Sequence, residues 1–523
     1  MLMKPPQRLL WEGMLQSAEL HPKKTALIIE GESFTYERLA DGARRVAAAL
    51  VQYGVKRGDR VALFMDNTWT CVLSIYGVLL AGGVFVVLNP QTKHDKLQSI
   101  INDSDAAVLI TDSRLKNVFI SVVHNTPSLR SVISSGNSDG IAEKLDINLV
   151  SFTELLANTD PIREPVFTIP CDLAALIYTS GSTGSPKGVM QTHQAMVFAL
   201  WSLIEYLRLS EQEKIMLFLP MAFDYGLYQL LMAMALGATL IVERSFTFPA
   251  LIYSRISEYQ ATVFPGVPTV FSMLLASHRK MPISFPSITR VTNTAAALSS
   301  EFIPALKEIF PNALIFKMYG LTECKRVCYL EPELLDSKTA SVGKAIPGTE
   351  TFLLSLDGQP VEEGNPGILH VRGPHVMAGY WRKPELTQKM LKQGKIPGER
   401  FLCTHDWFRY DEEGYLYFIG RSDDIIKTRG EKVSPAEVEN ILYGIPGIKD
   451  AAVIGVPDAT FGQAVKAFVV LDNSADLTER KIMKICLSRL ENFMVPQQVV
   501  ILDEMPKTAN EKMDKRKLME LGD

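Results

Sequence analysis

The chain has 523 residues, of which 47% are hydrophobic and 21% charged, and its formal net charge is −4. A chain of this length divides into more than one domain, each able to bury its own core. The weak negative charge predicts no general attraction to nucleic acid or to anionic membranes. We therefore expect a globular protein of several domains that has no nucleic-acid partner.

The N-terminal residues lack the pattern of an export signal. Lys4 and Arg8 are followed by Trp11, Glu12 and Gln16, which interrupt the apolar core that a signal peptide needs. No apolar run reaches the ~20 residues of a membrane span. The six cysteines are scattered without a Cys-x-x-Cys pair, as is usual in a reducing compartment. These features predict a cytoplasmic protein without a membrane span.

Helical and strand patterns alternate from residue 34 to about residue 320. Residues 34–39 are expected to open an amphipathic helix, and a second helix is expected near 70–80. Apolar runs at 60–64, 84–88 and 107–111 predict buried strands. Helices that alternate with buried strands indicate mostly parallel α/β sheets.

Shorter strands separated by turn residues begin near residue 350. They predict an antiparallel β unit that ends near Arg421, and a small α+β domain after it. The strands of the β unit are predicted at 351–354, 367–372 and 414–420. The strands of the last domain are predicted at 451–455, 464–471 and 498–502, and its helices at 434–443 and 478–491.

A hydroxyl- and glycine-rich segment follows the apolar run 173–177. It begins at Tyr178 and reads Tyr-Thr-Ser-Gly-Ser-Thr-Gly-Ser-Pro-Lys-Gly. Its glycines allow backbone N–H groups to converge on an anion, its hydroxyls add donors, and Lys187 adds charge. Gly188 follows the lysine where a Walker loop has Ser or Thr. We expect a strand that leads into a phosphate-binding turn of another kind, rather than a flexible linker.

This segment resembles the phosphate loop of the adenylate-forming superfamily, which includes acyl-CoA synthetases, amino-acid adenylation domains and luciferases. The resemblance covers nearly the whole chain and implies an α/β fold class. It implies a large N-terminal domain of mixed α/β sheets plus a β unit (1–421), and a small mobile α+β C-terminal domain (422–523). ATP and Mg²⁺ are the implied cofactors. The residues implied to bind ATP here are Thr179, Ser180, Gly181, Ser182, Thr183, Gly184 and Lys187.

A second motif, Lys-Met-Tyr-Gly-Leu-Thr-Glu, ends at Glu323. A tyrosine beside a glycine is able to place a flat ring against a base, and a hydroxyl and a carboxylate follow it. By resemblance, Tyr319 packs on the adenine, Thr322 bonds the α-phosphate and Glu323 holds Mg²⁺. One carboxylate together with phosphate oxygens is a usual magnesium site. From residue types alone, a surface turn remains the alternative.

Further nucleotide contacts are implied near the end of the β unit. A lone aspartate is most often a turn or cap residue. The resemblance instead assigns the two ribose hydroxyls to Asp406, and a ribose or phosphate contact to Arg421. The segment 367–381 also matches the superfamily, and we interpret it as structural.

Residues 420–439 join the two predicted domains. The resemblance makes Asp423 the hinge about which the small domain rotates between adenylation and thioester formation. Gly430 would line the tunnel for a pantetheine thiol. Lys512 would reach the substrate carboxylate and the α-phosphate, offsetting the repulsion between them. Glu511 stands where the superfamily usually has glycine, which is a mild departure.

The substrate pocket is matched by Phe223, Asp224 and Tyr228. Many acyl-CoA ligases have an aromatic–histidine pair here, whereas Asp224 resembles amino-acid adenylation domains, in which a carboxylate pairs with the substrate ammonium. Asp224 also suits the cap of the following helix, and both interpretations stay open. Arg326 would favour a polar or acidic substrate if it faces the pocket, although a structural arginine is commoner.

These motifs predict an ATP-dependent, AMP-forming carboxylate ligase. It would make an acyl-adenylate and then transfer the acyl group to a pantetheine thiol, with CoA favoured as acceptor. The alternative is a stand-alone adenylation enzyme that loads an amino acid or acyl group onto the phosphopantetheine of a separate carrier protein. A luciferase-like oxygenase and a nucleotide-binding regulator without turnover are more distant alternatives.

Overall fold

The computed structural model describes residues 7–137, 139–180, 186–294, 298–421, 424–428, 431–458, 462–472, 475–508 and 513–521. The chain forms two compact units, each built from separate stretches of sequence. The first unit consists of Met1–Val263, Leu321–Arg326 and Gly373–Leu402. The second unit consists of Phe264–Gly320, Val327–Arg372 and Cys403–Asp523.

The strands of the described residues are, in chain order, β1 Thr25–Ile29, β2 Glu32–Thr35, β3 Arg60–Phe64, β4 Val84–Leu88, β5 Ala106–Asp112, β6 Ser131–Ser135, β7 Asn148–Ser151, β8 Leu173–Ser180, β9 Pro186–Thr192, β10 Lys214–Leu217, β11 Thr239–Val242, β12 Val263–Gly266, β13 Arg290–Asn293, β14 Leu314–Leu321, β15 Cys324–Leu330, β16 Lys344–Ala345, β17 Glu350–Leu354, β18 Gly367–Arg372, β19 Gly379–Tyr380, β20 Leu391–Gln393, β21 Arg400–Tyr410, β22 Leu416–Arg421, β23 Ile426–Thr428, β24 Glu431–Val433, β25 Ile448–Asp458, β26 Gly462–Leu471 and β27 Gln498–Leu502.

The α-helices of the same residues are α1 Leu10–Leu20, α2 Tyr36–Gln52, α3 Trp69–Leu80, α4 His94–Ser104, α5 Lys116–Val123, α6 Phe152–Asn158, α7 His193–Tyr206, α8 Asp224–Leu236, α9 Pro249–Tyr259, α10 Pro268–Lys280, α11 Ile303–Ile309, α12 Pro384–Met390, α13 Pro435–Tyr443, α14 Glu479–Arg489 and α15 Lys515–Glu520. Across the residues that the structure describes, none of these helices has both the length and the apolar character needed to cross a bilayer.

An eight-stranded sheet, counted over the described residues, forms the centre of the first unit in the order β19-β9-β8-β4-β3-β5-β6-β7. Strands β3 and β4 are parallel and coincide with the predicted runs 60–64 and 84–88. Every residue of β4 is buried, as expected for a continuous apolar strand inside a parallel sheet. The predicted alternation of helices and buried strands is therefore confirmed in this unit.

The start of α2 was predicted too early. Residues 32–35 form β2, an edge strand antiparallel to β1, and the helix begins only at Tyr36. The hydroxyl of Thr35 accepts a hydrogen bond from the backbone N–H of Arg38 at 3.3 Å, which caps the helix. The apolar periodicity of residues 34–39 therefore included two residues that belong to a strand.

The segment around the phosphate motif is a pair of antiparallel strands. Strand β8 extends beyond the apolar run to Ser180, and β9 returns antiparallel to it, with Thr179 opposite Lys187. Strand β19 pairs with the other edge of β9 and sets Tyr380 opposite Val189. The sheet thus changes from parallel to antiparallel pairing where the motif lies.

The second unit contains the predicted β unit and a separate C-terminal sheet. Strand β17 pairs with β18, and β21 pairs with β22, both antiparallel. The C-terminal sheet has the order β24-β23-β26-β25, with β27 parallel to β26. Buried Val438, Leu442 and Ile482 from α13 and α14 pack on this sheet, so the small α+β fold is confirmed. The domain boundary at residue 421 stays a prediction.

Gly343 provides a test of this packing. Its φ is +88°, and a Cβ added there would overlap the backbone carbonyl of Tyr329. We expect Gly343→Ala to lower the free energy of unfolding by at least about 2 kcal/mol. Gly358 has a φ of +81° and open space around it, so Gly358→Ala should cost only about 1 kcal/mol. Urea denaturation measures both, and equal losses would contradict the steric argument.

Candidate active site

The predicted site residues divide between the two units. In the first unit lie Thr179, Ser180, Lys187, Phe223, Asp224, Tyr228, Thr322, Glu323 and Arg326. In the second unit lie Tyr319, Asp406 and Arg421. Gly181, Ser182, Thr183, Gly184, Asp423, Gly430 and Lys512 lie outside the described residues, and their roles stay predictions.

Thr322 and Glu323 form the turn that links β14 to β15. The side-chain amide of Gln191, in β9, donates to the carbonyl oxygen of Thr322 at 2.8 Å. The backbone N–H of Met377 donates to the carbonyl oxygen of Glu323, also at 2.8 Å. The turn is therefore held from two sides, and one of its supports is the strand that carries Lys187.

Tyr380 connects the phosphate motif to the predicted metal ligand. Its hydroxyl donates to Oε1 of Glu323 at 2.6 Å, and Nζ of Lys187 lies 5.7 Å from the centroid of its ring. Burial, and then the Glu323 carboxylate, raise the pKa of Tyr380 well above its ordinary value, so the phenol keeps its proton. Lys187 and Glu323 are thus brought to opposite ends of one aromatic side chain.

Sequence reasoning missed Tyr380, because the segment 367–381 was interpreted as purely structural. The hydrogen-bonded pair is 57 residues apart in the chain, and no periodicity links them. The available signal was an aromatic residue beside Gly379, whose φ of +141° lets β19 lie against β9.

The donor set fits a magnesium ion that is held mainly by phosphate. Glu323 is half-buried, and its carboxylate keeps acceptor capacity beyond the bond from Tyr380. Among the described residues, no three His, Cys, Asp or Glu side chains form a group able to hold a metal ion. A single carboxylate with phosphate oxygens and water is the arrangement that Mg²⁺ commonly adopts.

The second unit assembles the residues predicted to contact adenine and ribose. The hydroxyl of Tyr319 donates to Oδ2 of Asp406 at 2.5 Å, and Nε of Arg421 lies 3.6 Å from Oδ1. Asp406 and Arg421 are direct partners in the β21–β22 ladder, which explains their proximity. The ring of Phe408 packs edge-on to Tyr319 with centroids 4.8 Å apart. The three predicted residues therefore form one cluster.

This cluster combines a buried anion with an exposed cation. Asp406 is 5% exposed, whereas the Arg421 side chain is 62% exposed. Burial, and then Asp406, raise the pKa of Tyr319 well above its ordinary value, so the hydroxyl remains a donor. A buried carboxylate with spare lone pairs is suited to accept hydrogen bonds from two ribose hydroxyls.

Asp224 forms a buried ion pair within the first unit. Its Oδ2 lies 3.0 Å from Nζ of Lys325, and the two side chains are 10% and 3% exposed. The ammonium group also lies 4.8 Å from the ring centroid of Tyr228 and 5.5 Å from that of Tyr225. Asp224 is the first residue of α8 and provides no cap, so the expectation of a helix cap was wrong.

The neighbouring residues of this pocket wall are also fixed by packing. Arg326 is 2% exposed, has a φ of +62° and stacks its guanidinium 5.2 Å from the Tyr225 ring centroid. Sγ of Cys324 lies 3.0 Å from Nε2 of His375. Burial lowers the pKa of His375 to about 4, so the imidazole is neutral at physiological pH. Arg326 is buried rather than on the surface, and its contact with substrate stays a prediction.

Two family models cover most of the chain. The model described as AMP-binding enzyme matches residues 14–381, and the model described as AMP-binding enzyme C-terminal domain matches residues 437–512. The chain belongs to the AMP-binding enzyme family. The predicted resemblance to adenylate-forming enzymes is confirmed.

Relatives of this AMP-binding enzyme cover its whole length. A long-chain-fatty-acid–CoA ligase of Bacillus subtilis is 31% identical over 541 residues, covering 98% of this chain and 95% of the relative. A linear gramicidin synthase of Brevibacillus parabrevis is 29% identical over 520 residues, covering 98% of this chain and 6% of that protein. The crystal structure of the anthranilate CoA ligase AuaEII with anthranoyl-AMP has 26% identity and a TM-score of 0.90, covering 99% of this chain and 98% of that one.

The comparisons confirm the predicted α/β fold class, with a large N-terminal and a small C-terminal domain. They also confirm an AMP-forming acid–thiol ligase that uses ATP. A nucleotide-binding regulator without turnover is therefore set aside. The choice between the thiol of CoA and that of a carrier protein depends on the pocket of this AMP-binding enzyme.

The ion pair of this AMP-binding enzyme makes a direct prediction about stability. Lys325→Met removes the cation next to a buried carboxylate, and we expect a loss of about 3 kcal/mol or more in the free energy of unfolding. Asp224→Asn combined with Lys325→Met should restore most of that loss, because no buried charge then lacks its counter-charge. Urea denaturation of the single and double variants checks this. A double variant less stable than Lys325→Met would contradict the pairing.

Proposed function

We propose that this AMP-binding enzyme joins a carboxylic acid without an α-ammonium group to the thiol of CoA. The observation that carries the proposal is the buried pair of Asp224 and Lys325 at 3.0 Å. In an amino-acid adenylating enzyme the equivalent carboxylate would bind the substrate ammonium. Here a lysine of the chain itself supplies that cation, so a second ammonium group would meet a neutralised partner and the repulsion of Lys325.

The nucleotide roles follow from the two described clusters. Tyr319 would pack on the adenine, Asp406 would accept the ribose hydroxyls, and Arg421 would contact ribose or phosphate. The phosphate loop from Thr179 to Lys187 would bind the phosphates, and Thr322 would bond the α-phosphate. Glu323 would hold Mg²⁺, which supplies neutralisation of the phosphate charge when bound.

The first step is attack of the acid carboxylate on the α-phosphorus, which releases pyrophosphate and leaves acyl-AMP. The chain mainly positions the reacting groups and neutralises charge. Lys512 would bridge the carboxylate and the α-phosphate in this step. Rotation of residues 422–523 about Asp423 would then admit the thiol past Gly430, and attack of sulfur on the acyl carbon would release AMP.

The acid itself belongs to a broad class. The fatty-acid ligase named above and an oxalate–CoA ligase of Arabidopsis thaliana act on acids that range from long aliphatic chains to a two-carbon diacid. Phe223 and Tyr228 would line the pocket, and Arg326 would favour polar acids. All six cysteines are free thiols, which supports a reducing compartment and our proposal of the cytoplasm.

Acid-dependent exchange of labelled pyrophosphate into ATP tests the first half-reaction. The panel contains palmitate, octanoate, benzoate, anthranilate, oxalate and the common amino acids. We expect exchange with at least one acid that lacks an α-ammonium group, and release of AMP that CoA accelerates. Exchange with amino acids alone, with transfer to a phosphopantetheinylated carrier protein and not to CoA, would establish the alternative instead.

Tyr380→Phe tests the link to the metal ligand. The variant loses the hydrogen bond that orients Glu323, and outer partners of metal ligands typically change metal affinity about 10- to 100-fold. We expect the Mg²⁺ concentration for half-maximal exchange to rise by about 10-fold. Tyr410→Phe is the control, since that phenol bonds the neutral hydroxyl of Thr351 at 3.3 Å. The same Mg²⁺ dependence in Tyr380→Phe and the control would contradict the role of Tyr380.

A further inference from the structure

The residues that bracket Lys512 are fixed to one another. Lys507 and Met513 pair as an isolated antiparallel bridge, and the backbone N–H of Asp514 donates to the carbonyl of Pro506 at 2.8 Å. The two ends of the segment containing Lys512 therefore meet. Helix α15 begins at the next residue, Lys515.

Lys515 is an ion-pair partner of two carboxylates from elsewhere in the second unit. Its Nζ lies 3.3 Å from Oδ2 of Asp424 and 3.9 Å from Oε1 of Glu439. The three side chains are only 21–32% exposed, with Lys515 at 29%. The pairs therefore lie in a partly desolvated setting, where they are stronger than ordinary surface pairs.

Both carboxylates belong to segments with their own anchors. The backbone N–H of Asp424 donates to the carbonyl of Arg421 at 3.0 Å, which ties it to the strand that ends in the predicted ribose contact. Oε1 of Glu439, in α13, accepts from the backbone N–H of Val453 at 2.9 Å. Lys515 thus joins the base of the Lys512 segment to the residue after the predicted hinge and to a helix of the small domain.

The charge balance makes this lysine hard to replace. Burial raises the pKa of Glu439, with Asp424 and Asp450 adding to the effect, and Lys515 opposes it. Without the ammonium group, Asp424 and Glu439 would repel each other and the contact to α15 would be lost.

We propose that Lys515 is a positioning residue for Lys512 in the adenylation step. It holds the residues on either side of the Lys512 segment against Asp424, so that the catalytic ammonium group keeps a fixed place relative to the hinge. The inference rests on the proposed function of Lys512. Since a misplacement of about 1 Å is able to cost about 100-fold in rate, such a tether is a matter of catalysis and not only of folding.

The test separates the two half-reactions. Lys515→Met, Lys515→Arg and the unaltered chain are assayed with the panel acid that gives the fastest pyrophosphate exchange. Each is also assayed for thioester formation from CoA and the corresponding synthetic acyl-AMP. We expect Lys515→Met to lower the turnover number of exchange about 10- to 100-fold with thioester formation changed less than about 2-fold. Lys515→Arg should restore exchange, because guanidinium is able to pair with both carboxylates.

Matched controls make the outcome decisive. Lys517→Met changes an exposed lysine of the same helix and should leave both half-reactions unchanged. Asp424→Asn combined with Lys515→Met should lose little more exchange than Lys515→Met alone, because the two act through one contact. Equal losses in both half-reactions, or full exchange by Lys515→Met, would overturn the proposal. Failure of the unaltered chain to exchange with any acid would instead remove the proposed function.

Discussion

The site depends most on how the chain fixes the turn of Thr322 and Glu323. Three hydrogen bonds of 2.6–2.8 Å hold this turn, from Gln191, Met377 and Tyr380. Two come from the backbone or side chains of elements that adjoin β9, the strand that carries Lys187. The predicted metal ligand is therefore oriented by the same strands that frame the phosphate motif. Preorganisation of this kind means that little reorganisation is needed when charge develops on phosphate.

Buried charge is the second theme of the molecule. Asp406 and Asp224 are both buried, but their partners differ. Asp406 receives a neutral phenol and an exposed arginine, which leaves it able to accept further hydrogen bonds from a ligand. Asp224 faces a buried ammonium group, which satisfies its charge within the chain. The first arrangement suits binding of nucleotide hydroxyls, and the second suits a pocket for an acid without its own cation.

Continuous apolar runs made much of the fold predictable from the sequence. The bounds of β3, β4, β18 and β27 agree with the predictions because a strand buried on both faces leaves an unbroken run. The Tyr319, Thr322 and Glu323 motif was recognisable because its residues are contiguous. The pair of Asp224 and Lys325, 101 residues apart, and the bond from Tyr380 to Glu323 were not predictable, since only tertiary pairing of strands brings them together. The helix start at residue 36 was missed because an edge strand has the same local apolar pattern.

The most direct test of the account follows oxygen from the acid into the nucleotide. The acid is supplied with ¹⁸O in its carboxylate, together with ATP, Mg²⁺ and CoA, and the AMP is analysed by mass spectrometry. Attack of the carboxylate on the α-phosphorus followed by cleavage of the acyl carbon–oxygen bond predicts AMP that carries one labelled oxygen. Label in inorganic phosphate with release of ADP, or thioester formed with unlabelled AMP, would contradict an acyl-adenylate route.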